Sequence, residues 1–193
     1  RLIAIGDGQM VRLYDIASGR GIRNFIGHSG AIRSVAFSSN GAYLVTASED
    51  KSAKVWEVAT GKLLRSLTSH SGAVNSAKFS PNGWYIATGS SDWHTKLWDI
   101  RTGRELADYN LPFGDVFSVD FGPRGLYVVT GGRSGATLLE VRIWRALRTF
   151  TGHAHSYGVS SVRFCGDGKY ILTGLHISEP ALRIGGGVVL FLI

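Results

Sequence analysis

The chain repeats itself at intervals of 42 or 43 residues, and this repeat constrains its fold more than any other feature. The segment GHSGAIRSVAFSSNGAYLVTASEDKSAKVWEVATGKLLRSLT, from Gly27, aligns without a gap with SHSGAVNSAKFSPNGWYIATGSSDWHTKLWDIRTGRELADYN, from Ser69. Equivalent residues recur at Phe37, Phe79, Phe121 and Phe164, and at Thr46, Thr88, Thr130 and Thr173. A repeat of this length is typical of a chain built from stacked equivalent units.

Each unit has the local pattern of four short antiparallel β-strands. The segment AIRSVAF alternates apolar with polar positions, NGAYLVTA follows a glycine turn with aromatic and β-branched residues, and AKVWEV and KLLRSL are further short strands. The intervening SSNG, SEDK and ATGK are rich in turn-forming residues. No segment has sustained helical periodicity, so the sequence predicts an all-β fold.

Short motifs at the ends of the units make the resemblance to a known family specific. They are Gly27-His28, Trp56-Glu57, Trp98-Asp99 and Gly152-His153, with Tyr14-Asp15 as a degenerate form. Over residues 1 to about 176 the chain resembles the WD-repeat β-propeller family. The resemblance implies four-stranded antiparallel blades in an incomplete ring of about four to five blades, with the remaining blades missing from this chain.

The repeat register divides the chain into five expected blades. They are a partial first blade (1–26), a second (27–68), a third (69–110), a degenerate fourth (111–151) and a partial or degenerate fifth with a tail (152–193).

The resemblance also implies a buried, hydrogen-bonded tetrad of His, Thr, Asp and Trp in two blades. By position the tetrads are His28, Thr46, Asp50 and Trp56, and His70, Thr88, Asp92 and Trp98. A hydroxyl, a carboxylate and an imidazole are also the components of nucleophilic catalysis. A catalytic triad occurs once in one cleft, whereas this set recurs at the same spacing, so we expect a structural role and no enzyme activity.

The fourth and fifth units depart from the pattern. In the fourth, LPFG replaces the Gly-His and Ser134 or a neighbour replaces the Asp; the gap-free alignment puts Leu139 at the Trp position and Trp144 at the turn glycine. We expect this blade to be held by packing alone. In the fifth, either ALRI is the third strand and VVLFLI the fourth, or the tail is foreign sequence at a truncation.

Composition and charge limit the remaining functions. The net charge is +7 and the pI about 9.8, but the basic residues are scattered, so the charge argues only weakly for acidic partners.

Cys165 is the single cysteine, which excludes a disulfide framework and favours an intracellular, cytoplasmic or nuclear location. No stretch approaches the roughly 18–20 apolar residues of a membrane span. His153 and His155 lack further ligands at metal spacing, so we expect neither a metal nor a cofactor.

Positions that vary between units are the candidates for binding. In the family, partners commonly dock on the face that carries the turns between second and third strands. The residues expected there are Arg33, Lys51, Asn75, Trp93, Phe117, Arg133 and Tyr157. Trp93 is either an exposed anchor or packs across a neighbouring blade. The sequence therefore predicts a non-catalytic scaffold for protein partners, with nucleic acid in a ribonucleoprotein or chromatin assembly as the alternative.

Overall fold

The strands form five antiparallel sheets that follow one another along the chain. A computed structural model describes residues 1–112, 114–133, 135–150, 158–175 and 188–192. No helix occurs among these residues, so the all-β prediction is confirmed. In each sheet, neighbouring strands are also consecutive in the chain, because short turns join them.

The two outer sheets have three described strands each. The first sheet consists of β1 (Leu2–Asp7), β2 (Met10–Asp15) and β3 (Gly21–Ile26). The fifth consists of β16 (Val159–Phe164), β17 (Tyr170–Leu175) and β18 (Val188–Leu192).

The three inner sheets have four strands each. The second sheet consists of β4 (Ile32–Phe37), β5 (Tyr43–Ser48), β6 (Ala53–Glu57) and β7 (Leu63–Leu67). The third consists of β8 (Val74–Phe79), β9 (Tyr85–Ser90), β10 (His94–Asp99) and β11 (Glu105–Asn110). The fourth consists of β12 (Val116–Phe121), β13 (Tyr127–Gly132), β14 (Gly135–Glu140) and β15 (Arg145–Phe150). One sheet falls within each of the five intervals expected to be blades.

The sheets pack face to face around a row of their first strands. β4, β8, β12 and β16 contact one another in series, and in the second, third and fourth sheets the second strand packs on the first strand of the next sheet. Alternate apolar side chains fill the space between sheets, as for Val45, Val55, Ala77 and Ile86 between the second and third. The described sheets do not close into a ring, which is the incomplete propeller that the sequence predicts.

The fifth sheet corrects the expected order of its last strands. β18 pairs directly with β17, and Val189 lies opposite Thr173, as Lys54 lies opposite Thr46 in the second sheet. The VVLFLI segment therefore occupies the third-strand position, and the expectation that it is a fourth strand is wrong. The ALRI segment lies outside the described residues.

Candidate functional site

The first tetrad lies in the second sheet. His28 Nδ1 is 2.7 Å from Asp50 Oδ2, His28 Nε2 is 2.7 Å from Thr46 Oγ1, and Trp56 Nε1 donates to the same hydroxyl oxygen at 3.0 Å. The Asp50 carboxylate only accepts, so His28 Nδ1 carries the proton; Nε2 of the neutral ring then accepts from the Thr46 hydroxyl, which in turn accepts from the Trp56 indole. This arrangement leaves the imidazole proton on Nδ1, where it bonds to the carboxylate.

The third sheet repeats this geometry. His70 Nδ1 lies 2.8 Å from Asp92 Oδ2, His70 Nε2 lies 2.7 Å from Thr88 Oγ1, and Trp98 Nε1 donates to Thr88 Oγ1 at 2.9 Å. The structure thus brings together all eight residues of the expected tetrads, four in each sheet.

The aspartates connect two chain segments in each sheet. Asp50 Oδ2 accepts the Ser29 backbone N–H at 3.0 Å, and Oδ1 accepts the backbone and hydroxyl of Ser52 at 3.0 and 2.6 Å. Because Ser29 precedes β4 and Ser52 precedes β6, one carboxylate fixes the entry to the sheet against the turn between β5 and β6.

These contacts set the ionisation of both partners. Burial by itself raises the pKa of Asp50, but hydrogen bonds from Ser52, His28 and Ser29 outweigh burial and lower the pKa to about 2. Burial lowers the pKa of His28, and the nearby Asp50 charge only partly offsets it. At neutral pH the pair is therefore a carboxylate that accepts a hydrogen bond from a neutral imidazole.

The burial of the tetrad residues bears on whether they could act in nucleophilic catalysis. Thr46 and Thr88 are each 0% exposed, and their hydroxyls are already engaged by histidine and tryptophan. A nucleophile must be reached by its substrate and must be free to attack. The geometry therefore supports a role in holding turn and strand together.

The fourth sheet replaces the tetrad with a different contact. Leu139 lies opposite Val128, as Trp98 lies opposite Ile86 in the third sheet, so Leu139 occupies the tryptophan position. Buried Thr130 instead accepts a hydrogen bond of 3.1 Å from the Thr95 hydroxyl of the third sheet. The expectation that this blade is held by packing alone is wrong, because a buried hydroxyl requires a partner.

Further hydrogen bonds connect the third and fourth sheets. The Asn75 side-chain amide donates to the Val116 carbonyl at 2.9 Å, and the Val119 N–H donates to Ser76 Oγ at 3.2 Å. The turn between β13 and β14 is also shorter than its equivalents in the second and third sheets, with two residues between the strands. The alignment of the repeats did not reveal that this turn is shorter. The shortening falls at the position that the aspartate occupies in the two tetrads.

We call one end of the sheets the b–c rim: it carries the turns between second and third strands and the loops that enter the first strands. The opposite end, with the other two kinds of turn, is the c–d rim. Lys51 and Trp93 occupy equivalent b–c turn positions, with left-handed φ angles of 68° and 75°. The Trp93 side chain is exposed, and Arg33 forms an ion pair with Glu49 across the rim.

The other expected binding residues differ in exposure. Asn75 is half-buried and also donates to Ser91 Oγ at 3.0 Å, so its amide bridges the third and fourth sheets. Phe117 is half-buried and Arg133 is exposed. Tyr157 lies outside the described residues. The b–c rim thus brings together Arg33, Lys51, Trp93 and Arg133 as exposed side chains.

Comparison with family models identifies the repeat. The model described as "WD domain, G-beta repeat" matches residues 19–57, 61–99 and 141–179, together more than half of the chain. The chain belongs to the WD40 family. Comparison with curated proteins found no match.

The WD40 matches follow the tetrads. Two of them end at Trp56-Glu57 and Trp98-Asp99, whereas residues 100–140, which contain most of the fourth sheet, are left unmatched. WD40 domains typically mediate protein–protein interactions and are generally non-catalytic.

Among the described residues, no cluster of His, Cys, Asp and Glu suits a metal ion, and His153 and His155 lie outside that part of the chain. No helix in the described part of the chain has the length and apolar character needed to span a membrane.

Two arginines that the sequence comparison did not single out connect neighbouring WD40 blades at the c–d rim. Arg23 of the first sheet donates to the Val58 carbonyl at 2.7 Å, and Arg65 of the second donates to the Arg101 carbonyl at 2.5 Å. Each side chain crosses a turn glycine: a Cβ on Gly61 would lie 2.6 Å from Arg23 Cδ. The repeated pairing of arginine with turn glycine was a signal available in the sequence.

Proposed function

We propose that the chain is a non-catalytic WD40 scaffold within a larger complex and that it binds a protein partner through the b–c rim. The binding residues in this proposal are Arg33, Lys51, Trp93, Phe117 and Arg133. Asn75 contributes through the bridge that fixes the rim, and Tyr157 belongs to the same set by register. An intracellular location, cytoplasmic or nuclear, is part of the proposal.

Trp93 is the observation that carries the proposal. Its side chain is 48% exposed, and its φ of 75° lies in the region that favours Gly and Asn. Lys51 fills the equivalent turn position in the second sheet, so the turn does not require an aromatic residue. A tryptophan that the turn does not need and that solvent contacts is a frequent energetic centre of protein interfaces.

The charges around Trp93 bear on the nature of the partner. Arg133 and Lys51 are exposed cations that favour the alternative, in which the rim contacts nucleic acid in a ribonucleoprotein or chromatin assembly. Arg33, however, is paired with Glu49, which balances the charge on that part of the rim. A mixed charge pattern around an aromatic residue favours a protein partner.

The experiment compares two exposed tryptophans on opposite rims. Trp93→Ala and Arg33→Glu should weaken capture of partners from a lysate, whereas Trp84→Ala should retain those same partners. Both alanine variants should keep the parent melting curve. Loss of the captured set on nuclease treatment, with a steep salt dependence, would favour nucleic acid instead. Unfolding of Trp93→Ala, or unchanged capture by it, would overturn the assignment of this rim.

A further inference from the structure

We propose that the groove between the third and fourth sheets at the c–d rim binds an extended acidic peptide that carries bulky apolar side chains. This site lies at the opposite end of the sheets from the b–c rim, so it is independent of the proposed function above.

The arginine contact described above has no counterpart among the described residues of this groove. Ala107 lies opposite Leu97, as Arg65 lies opposite Val55, so alanine stands where an inter-blade arginine would be. In the fourth sheet Trp144, with a φ of 48°, stands where Gly103 forms the turn of the third. Trp144, Ala107 and Tyr109 all pack against the same apolar cluster, and Trp144 and Ala107 both line the groove.

The groove is open to solvent, and most of its lining side chains are apolar or aromatic. It encloses about 630 Å³. Four of its lining side chains are unusually exposed for their type: Trp84 (68%), Leu106 (50%), Leu126 (54%) and Ile143 (58%). Large apolar side chains gathered around one depression are a mark of a binding surface, whereas singly exposed ones are ordinary.

The positive charge of the groove favours a negatively charged ligand. Arg124 and Arg142 line it, both exposed, and no carboxylate is among the described residues of its walls. The neighbouring grooves differ, since Asp99 lines the one between the second and third sheets and Asp167 the one between the fourth and fifth. A ligand with negative charge therefore fits this groove better than its neighbours.

One polar atom of the groove also has no partner. Trp144 Nε1 is buried and makes no hydrogen bond among the described residues. An unpaired buried N–H is costly, so a peptide carbonyl or carboxylate that reaches it after a small rotation of the ring would remove that cost.

Apolar walls and flanking arginines together favour peptide over nucleic acid. A nucleic acid would satisfy the arginines and could stack on Trp84, but it has no bulky apolar side chains to cover Leu106, Leu126 and Ile143. A peptide that alternates acidic and apolar side chains directs one set towards the arginines and the other into the groove.

The test measures fluorescence anisotropy with three labelled synthetic peptides and the whole 193-residue chain. In the first peptide Glu alternates with Phe and Leu; in the second Ser replaces the apolar residues; in the third Lys replaces Glu. The first should bind saturably. The other two should bind about tenfold more weakly or worse, as expected when an anchoring contact is lost.

Variants locate the site. Trp84→Ala and Arg142→Glu should each weaken the first peptide about tenfold or more, and the pair Ala107→Arg with Trp144→Gly should abolish its binding by restoring the arginine contact. Arg20→Glu, a matched charge change at an exposed arginine of the first sheet, and Trp93→Ala should leave the affinity unchanged. Circular dichroism would verify that each variant is folded.

Three results would overturn the proposal. Equal binding of the serine peptide would show that charge alone attracts the ligand. Tighter binding of single-stranded oligo-dT, lost in Arg142→Glu, would assign the groove to nucleic acid. Unchanged affinity in folded Trp84→Ala and Arg142→Glu would place the peptide elsewhere on the chain.

Discussion

Thr95 of the third sheet donates a hydrogen bond of 3.1 Å to Thr130 of the fourth, and both residues are 0% exposed. In the second and third sheets the equivalent threonines bond to histidine and tryptophan, which the fourth sheet lacks at those positions. A neighbouring sheet thus supplies the partner that the local motif supplies elsewhere.

Removing the Thr95 hydroxyl should show how much this hydrogen bond contributes to the free energy of unfolding. Thr95→Val keeps the shape of the side chain but leaves Thr130 unpaired, so we expect a loss of about 1–3 kcal/mol in the free energy of unfolding, measured by urea denaturation. The double variant Thr95→Val, Thr130→Val should recover much of this loss, because both polar groups are then gone. A double variant less stable than either single one would contradict this account.

The tetrad predicts a comparable effect in the second sheet. Asp50→Ala removes the acceptor for His28, Ser29 and Ser52, and we expect a loss of roughly 1–3 kcal/mol, again by urea or thermal melts. Asp7→Ala is the control, since Asp7 forms an exposed ion pair with Arg12 and the loss of such a pair should change stability by less than about 1 kcal/mol. An unchanged melt for Asp50→Ala, together with loss of a hydrolytic activity, would refute the structural role.

The ionisation of the same pair predicts how stability depends on pH. The folded-state pKa of Asp50, about 2, lies below its ordinary 3.8, so its stabilisation is complete above pH 3.8 and is lost as the pH falls towards 2. The pKa of His28 is also lowered from 6.5, so the unfolded chain takes up that proton first and stability falls below about pH 6.5.

Urea midpoints between pH 7 and pH 2 would measure both effects. The curve for Asp50→Asn should be flatter than the parent curve in the acidic window, because asparagine does not titrate. His28→Gln should be flatter between pH 6.5 and the acidic window. Curves for both variants that run parallel to the parent curve would show that this pair does not control acid stability.

Ala107 and Trp144 should be energetically coupled. Both residues line the groove and pack against the same apolar cluster, so Ala107→Arg alone should crowd this space, whereas Trp144→Gly alone removes the packing of the indole ring. Together they recreate the pairing of Arg65 with Gly103, so the double variant should be about 1–3 kcal/mol more stable than the sum of the single effects. Urea denaturation of the four proteins gives this coupling directly. Additive effects would mean that the two positions do not share the space.

The exposed apolar side chains of the first sheet lead us to expect that the chain self-associates. In β1, Leu2, Ile3 and Ile5 are 40%, 45% and 48% exposed, and β1 forms one edge of its sheet. Exposed apolar side chains on a free strand edge promote pairing between chains. Light scattering should therefore show concentration-dependent association, which Ile3→Asp should reduce. A monomer that persists at high concentration would contradict this expectation.

The propeller-like architecture and the two tetrads could be predicted from the sequence because they depend on local spacing. The distances from His28 to Thr46, Asp50 and Trp56 along the chain recur from His70, and a meander of short strands converts fixed spacing into fixed register. The same reasoning places Leu139 at the tryptophan position, since the gap-free alignment keeps the turn between third and fourth strands intact.

The sequence by itself determined the repeat, the strand order within the inner sheets and the family. Only the tertiary structure decided what happens between sheets: the Thr95–Thr130 bond, the Arg23 and Arg65 contacts and the groove beside Trp144. The physical reason is that antiparallel pairing links residues close in the chain, whereas contacts between sheets join side chains about a repeat apart and depend on local volume. In the fifth sheet, too, only the pairing of β18 with β17 showed which strand position the tail occupies, because the tail carries no motif residue that would set its register.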